Sequence, residues 1–292
     1  MQVFILYASV VLIWGSTWAA IPYQLGVVAE EVSVAYRFAL GSIALFAYAR
    51  LSGRQVSIPL SQYPMVIVTG TLMFSANYLF TYYSINYVTS GLVAVAFSLL
   101  VVFNAFFEHL FFRKPMENRL MLASLLGVVG IACLFWPEVG SLDLADRTVY
   151  GVILVLIAVT FASLGNMGAV VNASRNLPVI AVNAHGMAWG AFASTIVAAV
   201  LGREFRFSFE PGYMLSLGYL AIFGSAVAFG CYLALFRKIG SARAAYTSVL
   251  FPIIALLIST FVENYQWSTL AVVGIIFIIA GNWLALTRIK RT

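Results

Sequence analysis

The stretch LMLASLLGVVGIACLFW, residues 120–136, is apolar on every face of the helix it would form. It runs for close to the ~20 residues that one bilayer crossing needs. LAVVGIIFIIAGNWLAL, residues 270–286, repeats the pattern. The whole chain follows it, since 63% of the 292 residues are apolar and 9% are charged, against roughly 25% charged in an ordinary soluble domain. Hydrocarbon offers backbone amides no hydrogen bonds, so such a chain crosses it as helices or as a closed barrel. Barrel strands alternate apolar and polar residues, and these segments do not. The expectation is an all-α integral membrane protein.

Cutting the chain at charged or Pro/Gly-bearing breaks gives ten spans, at residues 2–21, 32–50, 63–83, 88–110, 119–136, 149–171, 181–201, 212–236, 243–262 and 267–286. The first residues, MQVFILYASV, carry no Lys or Arg, and no small-x-small site follows them. The first span is therefore expected to be retained rather than cleaved. Prolines 22, 59, 64, 115, 137, 178 and 211 fall at or beside the breaks, as suits a residue without an amide proton, and only Pro252 lies mid-span. With both termini cytoplasmic, 12 of the 16 basic residues lie on the inner side: Arg50, Arg54, Arg113, Lys114, Arg119, Arg175, Arg237, Lys238, Arg243, Arg288, Lys290 and Arg291. The outer loops collect eight of the ten acids, Glu30, Glu31, Glu138, Asp143, Asp146, Glu204, Glu210 and Glu263. This asymmetry sets the expected orientation in a cell inner (plasma) membrane and accounts for the net charge of +6 without nucleic acid. Cys133 and Cys231 sit inside apolar runs, which disfavours a disulfide framework or a Cys-based metal site.

Ten spans divide into two sets of five, and an odd number of crossings inverts the second set. A shift of 150 residues aligns Gly15 with Gly165, Ala19 with Ala169, Tyr82 with Tyr232, Ser98 with Ser248, Ala105 with Ala255 and Phe111 with Phe261. The expected organisation is a first five-helix repeat over 1–138 and a second, inverted repeat over 149–292. Inverted repeats are common in secondary transporters, with the substrate held near the midplane where the halves meet. Trp14-Gly15-Ser16, Arg37-Phe38, Pro252 with Glu263 eleven residues later, and Gly274 with Gly281 together resemble the EamA-type members of the drug/metabolite transporter superfamily. In the first half, Val102 stands where the shift predicts the proline, and Phe112 or Arg113 where it predicts the glutamate. The aromatic content is most similar to that of the exporters of aromatic amino acids. The resemblance implies ten helices, alternating access and a small-molecule substrate.

Polar side chains and Gly have little use in mid-helix against lipid, so they are expected to point inward. The candidates for substrate contact are Trp14 and Thr17 in the first span, Asn77, Tyr78 and Tyr82 in the third, and Phe97 and Ser98 in the fourth. Ser163 and Asn166 in the sixth and Tyr246 and Ser248 in the ninth complete the set. Ser16, Ser225, Tyr232 and Thr247 share the same reasoning. Tyr78 and Tyr82, four apart, share a helix face. Helix-to-helix contact is the alternative use of the small and hydroxyl residues, and core packing that of Trp14. Pro252 is the candidate conformational element, as a kink or a moving joint. Arg37, within the second span, binds a substrate carboxylate or else snorkels to outer headgroups or bonds helix carbonyls. His185 is a titratable candidate or a hydrogen-bonded packing residue.

Two histidines in different spans, no H-E-x-x-H, no paired intramembrane carboxylates and no Gly-Lys dipeptide leave no motif for an enzyme, a metal or a nucleotide cofactor. The expected function is export of small aromatic or neutral amino acids or related metabolites by alternating access. Flipping of a lipid-linked intermediate is the alternative, followed by a membrane-embedded enzyme using an unfamiliar Ser or Tyr constellation. The expected partners are the substrate and the lipid bilayer, with no oligomer required.

Overall fold

The computed structural model describes residues 2–113, 115, 118–136, 147–239 and 247–286. These form ten helical segments, and no strand occurs among the described residues. They are α1 (Gln2–Ala20), α2 (Glu30–Leu51), α3 (63–85), α4 (90–112), α5 (Asn118–Phe135), α6 (Arg147–Ser174), α7 (Val179–Val200), α8 (211–239), α9 (Thr247–Val262) and α10 (Thr269–Leu286). Six stretches are long and apolar enough to cross a membrane: Gln2–Gln24, Glu30–Leu51, Leu60–Ile85, Ser90–Phe112, Arg147–Ser174 and Pro211–Tyr232. Met121–Phe135, Leu250–Val262 and Thr269–Leu284 are apolar but shorter.

The segments end where the backbone can turn. Gly53 and Gly202 follow α2 and α7 at φ 63° and 66°, and Asn176 and Asn264 follow α6 and α9 at φ 58° and 56°. Gly and Asn are the residues that enter this left-handed region most cheaply. The sixth segment runs three residues further than 171, because nothing before Asn176 interrupts its helix.

The distribution of side chains suits lipid. Phe4 is 76% exposed and Phe261 84%, whereas Ser33, Ser84, Ser163 and Ser194 are fully buried. Apolar side chains outside and hydroxyls inside reverse the rule for soluble proteins. α5 packs chiefly on α10, α2 on α7, and α4 on both α9 and α6. α3 packs on α6 and α7, as α8 does on α1 and α2. At two of these crossings only glycine fits. A Cβ on Gly130 would lie 2.7 Å from the Gly274 carbonyl oxygen, and one on Gly70 would lie 2.7 Å from the Gly186 Cα. The G-x-x-x-G at Gly186 and Gly190 thus sits against α3.

Three segments depart from α-helical winding. α3 contains a π-helical stretch, Leu72–Ala76, and α8 a longer one, Tyr219–Val227. The 150-residue shift carries 72–76 onto 222–226, inside the second stretch. α4 tightens to a 3₁₀ turn at Phe97–Leu99. Above that turn, residues 90–99 are buried without exception; below it, no residue of 100–112 is.

Candidate functional site

The α1–α2, α3–α4, α7–α8 and α9–α10 connections meet at one end of the bundle. Glu30, Glu31, Glu204, Glu210 and Glu263 lie there, and we call it the acidic end. Arg50, Arg54, Arg113 and Arg175 lie at the opposite, basic end.

Arg37 projects from α2 seven residues, or roughly 10 Å of helix rise, below its start at Glu30. It is 3% exposed. Its Nη1 donates to the Tyr82 hydroxyl at 3.4 Å, and that hydroxyl donates to Gln24 Oε1 at 2.7 Å. The guanidinium carbon lies 4.6 Å from the centre of the Tyr78 ring and 5.3 Å from that of Phe38. Arg37 therefore gathers both tyrosines of the shared α3 face, one through its hydroxyl and one through its ring.

From Tyr78 an unbroken series of aromatic contacts crosses the bundle. Tyr78 meets Phe38 at 4.6 Å between centroids, Phe38 meets Phe74 at 5.3 Å, and Phe74 meets Phe229 at 6.5 Å. Phe229 then meets Trp14 at 5.4 Å, and Trp14 also touches Tyr232 and Phe251. Trp18 packs on Phe97 at 5.0 Å. The Trp14 indole N–H donates to the Gly224 carbonyl at 3.2 Å, within the π-helical stretch of α8. Such stretches are frequent at functional sites, since the wide turn shifts carbonyls out of register.

A second polar node joins α4 to α6. Asn104 Oδ1 accepts from Ser163 Oγ at 2.7 Å and from Asn166 Nδ2 at 3.2 Å. Asn104 lies in the half of α4 where nothing is fully buried.

Carboxylates link the helices at the acidic end. Glu263 accepts from the Ser90 amide at 3.0 Å, the Ser90 hydroxyl at 2.6 Å and the Ser259 hydroxyl at 2.7 Å. It thereby closes the N-terminus of α4 against the C-terminus of α9. Glu31, fully buried, accepts from the Tyr83 hydroxyl at 2.5 Å and pairs with Arg203 at 3.3 Å.

The other sequence candidates are placed elsewhere. Thr17 donates to the Trp14 carbonyl, and Asn77 to the Met73 carbonyl while its own oxygens accept from Thr81, so both side chains are bonded within their helices. Ser98 and Pro252 line an apolar crevice of about 100 Å³ between α4, α9 and α10, away from the aromatic series. His185 bonds Val56 O at 3.0 Å and Tyr63 at 3.4 Å, with Phe46 against its ring. Phe46 is nine residues, roughly 13 Å of rise, down α2 from Arg37, so His185 holds the α2–α3 connection instead. Ser225 bonds back to Leu220 O. Ser248 is placed by its backbone on the first turn of α9, and Tyr246 lies outside the described residues. Ser16 bonds Tyr219 at 2.6 Å on the wall of an open groove of about 350 Å³, which Tyr23, Leu215 and Val262 also line.

Gln24, Phe38, Asn104, Gly224 and Phe229 were not on the candidate list. Asn104 obeys the rule that selected Asn166 and was legible. Gln24 falls just beyond the first span as cut, and nothing in the sequence marks Gly224. Among the described residues no three metal-ligating side chains gather in one place.

The fold and these contacts define a helical membrane protein with polar and aromatic groups turned inward, the class to which transporters belong. The EamA-like transporter family model matches residues 2–136 and again 149–287, and the chain belongs to that family. It is 26% identical to an uncharacterised inner membrane transporter, YedA of Escherichia coli K12, over 94% of this chain and 89% of that one. It is 21% identical to the uncharacterised transporter YoaV of Bacillus subtilis over 94% of both chains, and 22% identical to PagO of Salmonella typhimurium over 97% of this chain and 92% of that one. A protein of known crystal structure shares the fold at a TM-score of 0.70 with 16% identity, covering 97% of this chain and 96% of its own.

Proposed function

We propose that this membrane transporter is an exporter of small aromatic or neutral amino acids or related metabolites, working by alternating access. The observation that carries the reading is the series from Tyr78 to Trp14 and Tyr232, which brings rings from α1, α2, α3 and α8 together deep in the bundle. Aromatic faces and edges attract a substrate ring by stacking, and a few polar groups fix its orientation. The Asn104 node and the hydroxyl of Tyr78 supply such groups.

The architecture in this reading is ten crossings in two inverted repeats, 1–138 and 149–292, with both termini cytoplasmic and the acidic end outside. Three observations support it. The family model matches twice, at 2–136 and 149–287. Exchanging α1 with α6, α2 with α7, α3 with α8, α4 with α9 and α5 with α10 maps the main helix contacts onto one another. The two π-helical stretches recur at the same shift. The state described is closed at the acidic end, where Glu263 bonds Ser90 and residues 90–99 of α4 are buried.

Uptake of radiolabelled L-phenylalanine and L-leucine into proteoliposomes, with and without a proton gradient, tests the function. Accumulation that Tyr78→Ala reduces without loss of folded protein is the expected result. Absence of transport for every amino acid tried would reject it. The groove beside Ser16 and Tyr219 supports a second reading, movement of a lipid-linked intermediate entering sideways. Protein-dependent scrambling of a labelled lipid in the same vesicles would favour that reading.

A further inference from the structure

We propose that Arg37 is the anchor for a substrate carboxylate, so that the transported species carries an anionic oxygen pair beside its apolar part. The proposal rests on the transport reading above and names the chemistry of the group it recognises.

A guanidinium has five N–H donors and no acceptor. At Arg37 one of them has a hydrogen-bond partner, the Tyr82 hydroxyl, at the long distance of 3.4 Å, and Nε has none among the described residues. The ring of Tyr78 covers one face of the cation. Nη2 faces α8 at Gly224, where an added Cβ would be in ordinary van der Waals contact with it at 3.8 Å. Among the described residues neither Nε nor Nη2 donates to a protein acceptor. That side of the fork presents two parallel N–H groups at the spacing of a carboxylate.

Burial without a counter-charge is costly for a cation, and a face-on ring recovers only part of the loss. Glu31 shows how the same helix treats a charge with a purely structural role. It is equally buried, and it has an ionic partner in Arg203 and a hydrogen bond from Tyr83 on Oε1, while Oε2 accepts no hydrogen bond. Arg37 has no ion-pair partner among the described residues. Snorkelling does not account for it, since the head is 3% exposed and bonded to Tyr82 within the bundle. Its flanks are aromatic, Tyr78 and Phe38, so an aromatic ring and a carboxylate on one small molecule can be met together.

The test uses the full chain in phosphatidylcholine nanodiscs, with binding read from ligand-dependent thermal stabilisation. The probes are phenylacetate, its uncharged isostere phenylacetamide, L-phenylalanine and L-phenylalaninamide. The expected result is that each carboxylate binds about 10- to 100-fold more tightly than its amide, as fits a charge-assisted bond from a buried donor. Arg37→Gln should abolish that preference and leave the amides unchanged, and Arg37→Lys should restore part of it. The comparison of isosteres on the unaltered chain decides the matter even where Arg37→Gln fails to fold. Equal binding of acids and amides overturns the role of Arg37 while leaving the aromatic reading intact. No binding of any of the four probes rejects both. Stabilisation of the unaltered chain by phosphatidylglycerol, lost in Arg37→Gln and accompanied by no response to phenylacetate, would assign the anion to a lipid headgroup and overturn the proposal.

Discussion

Replacing Glu263 by Ala should release the acidic end of the transporter. Glu263 accepts three hydrogen bonds, but the one from Ser259 is four residues back on its own helix and holds nothing across the seam. The two from Ser90, at 2.6 and 3.0 Å, are what join α9 to α4. Bonds to a charged acceptor contribute about 1.5–3 kcal/mol each when dry, and water reaches this half-buried carboxylate. A discounted figure of about 1–1.5 kcal/mol each gives roughly 2–3 kcal/mol for the pair. At 1.4 kcal/mol per decade, the equilibrium between closed and open acidic ends moves roughly 30- to 150-fold toward open. The reporter is Ala94→Cys, fully buried in α4, in a background where Cys133 and Cys231 are replaced by Ser. A membrane-impermeant thiol reagent applied at the acidic end should label it faster by that factor in Glu263→Ala. Glu263→Gln, which keeps one acceptor oxygen, should fall between. Glu204→Ala, which removes an exposed partner of Arg206, should change nothing. Labelling of Glu263→Ala at the parent rate would refute the view that this carboxylate closes the seam.

Gly70→Ala should destabilise the protein, because the new methyl runs into the Gly186 carbonyl oxygen and meets the Gly186 Cα at 2.7 Å where ordinary contact begins at 3.4 Å, so α3 and α7 must part by more than about 0.7 Å. A loss of roughly 1–3 kcal/mol is expected for such overpacking, read from reversible unfolding in mixed micelles. Gly218→Ala, with nothing within 4 Å, should be neutral or slightly stabilising in the same measurement. Tyr82→Phe removes the hydroxyl between Arg37 and Gln24 and should cost about 1–3 kcal/mol through the stranded donors and acceptor. Asn104→Ala strips Ser163 and Asn166 of their common acceptor and should lower amino-acid flux in proteoliposomes while leaving the folded yield intact.

The helices were legible because the bilayer demands length and uninterrupted apolar character, which six stretches among the described residues combine and which Met121–Phe135 shows over a shorter run. Which face of each helix looks inward was much less so. Apolar residues cover both the lipid side and the core, and the usual periodicity that points a helix at its core is lost. Ser98 and Phe97 are neighbours on one turn, yet Phe97 reaches Trp18 while Ser98 lines the crevice against α9 and α10. Tyr78 and Tyr82 fared better, since their spacing of four fixes their relative direction without reference to the core. The π-helical stretches had no sequence signature, although one carries Gly224 to the indole of Trp14 and the other ends two residues before Tyr78.

The departures between the two halves bear on the resting state. A duplicated, inverted chain with identical halves would have equal energies for its two closed forms, since each closed end would be the image of the other. Here the 150-residue shift carries Glu263 onto Arg113 and Ser90 onto Gly240. The carboxylate and the hydroxyl that close the acidic end thus have no counterparts at the basic end. An arginine and a glycine at those positions of the sequence cannot form the same bonds. The inequality favours the form closed at the acidic end by about the free energy of the Ser90–Glu263 contact. Burial along α4, complete in residues 90–99 and only partial in 100–112, has the same polarity. A transporter biased in this way rests closed at the acidic end, and substrate binding must supply the energy that opens it.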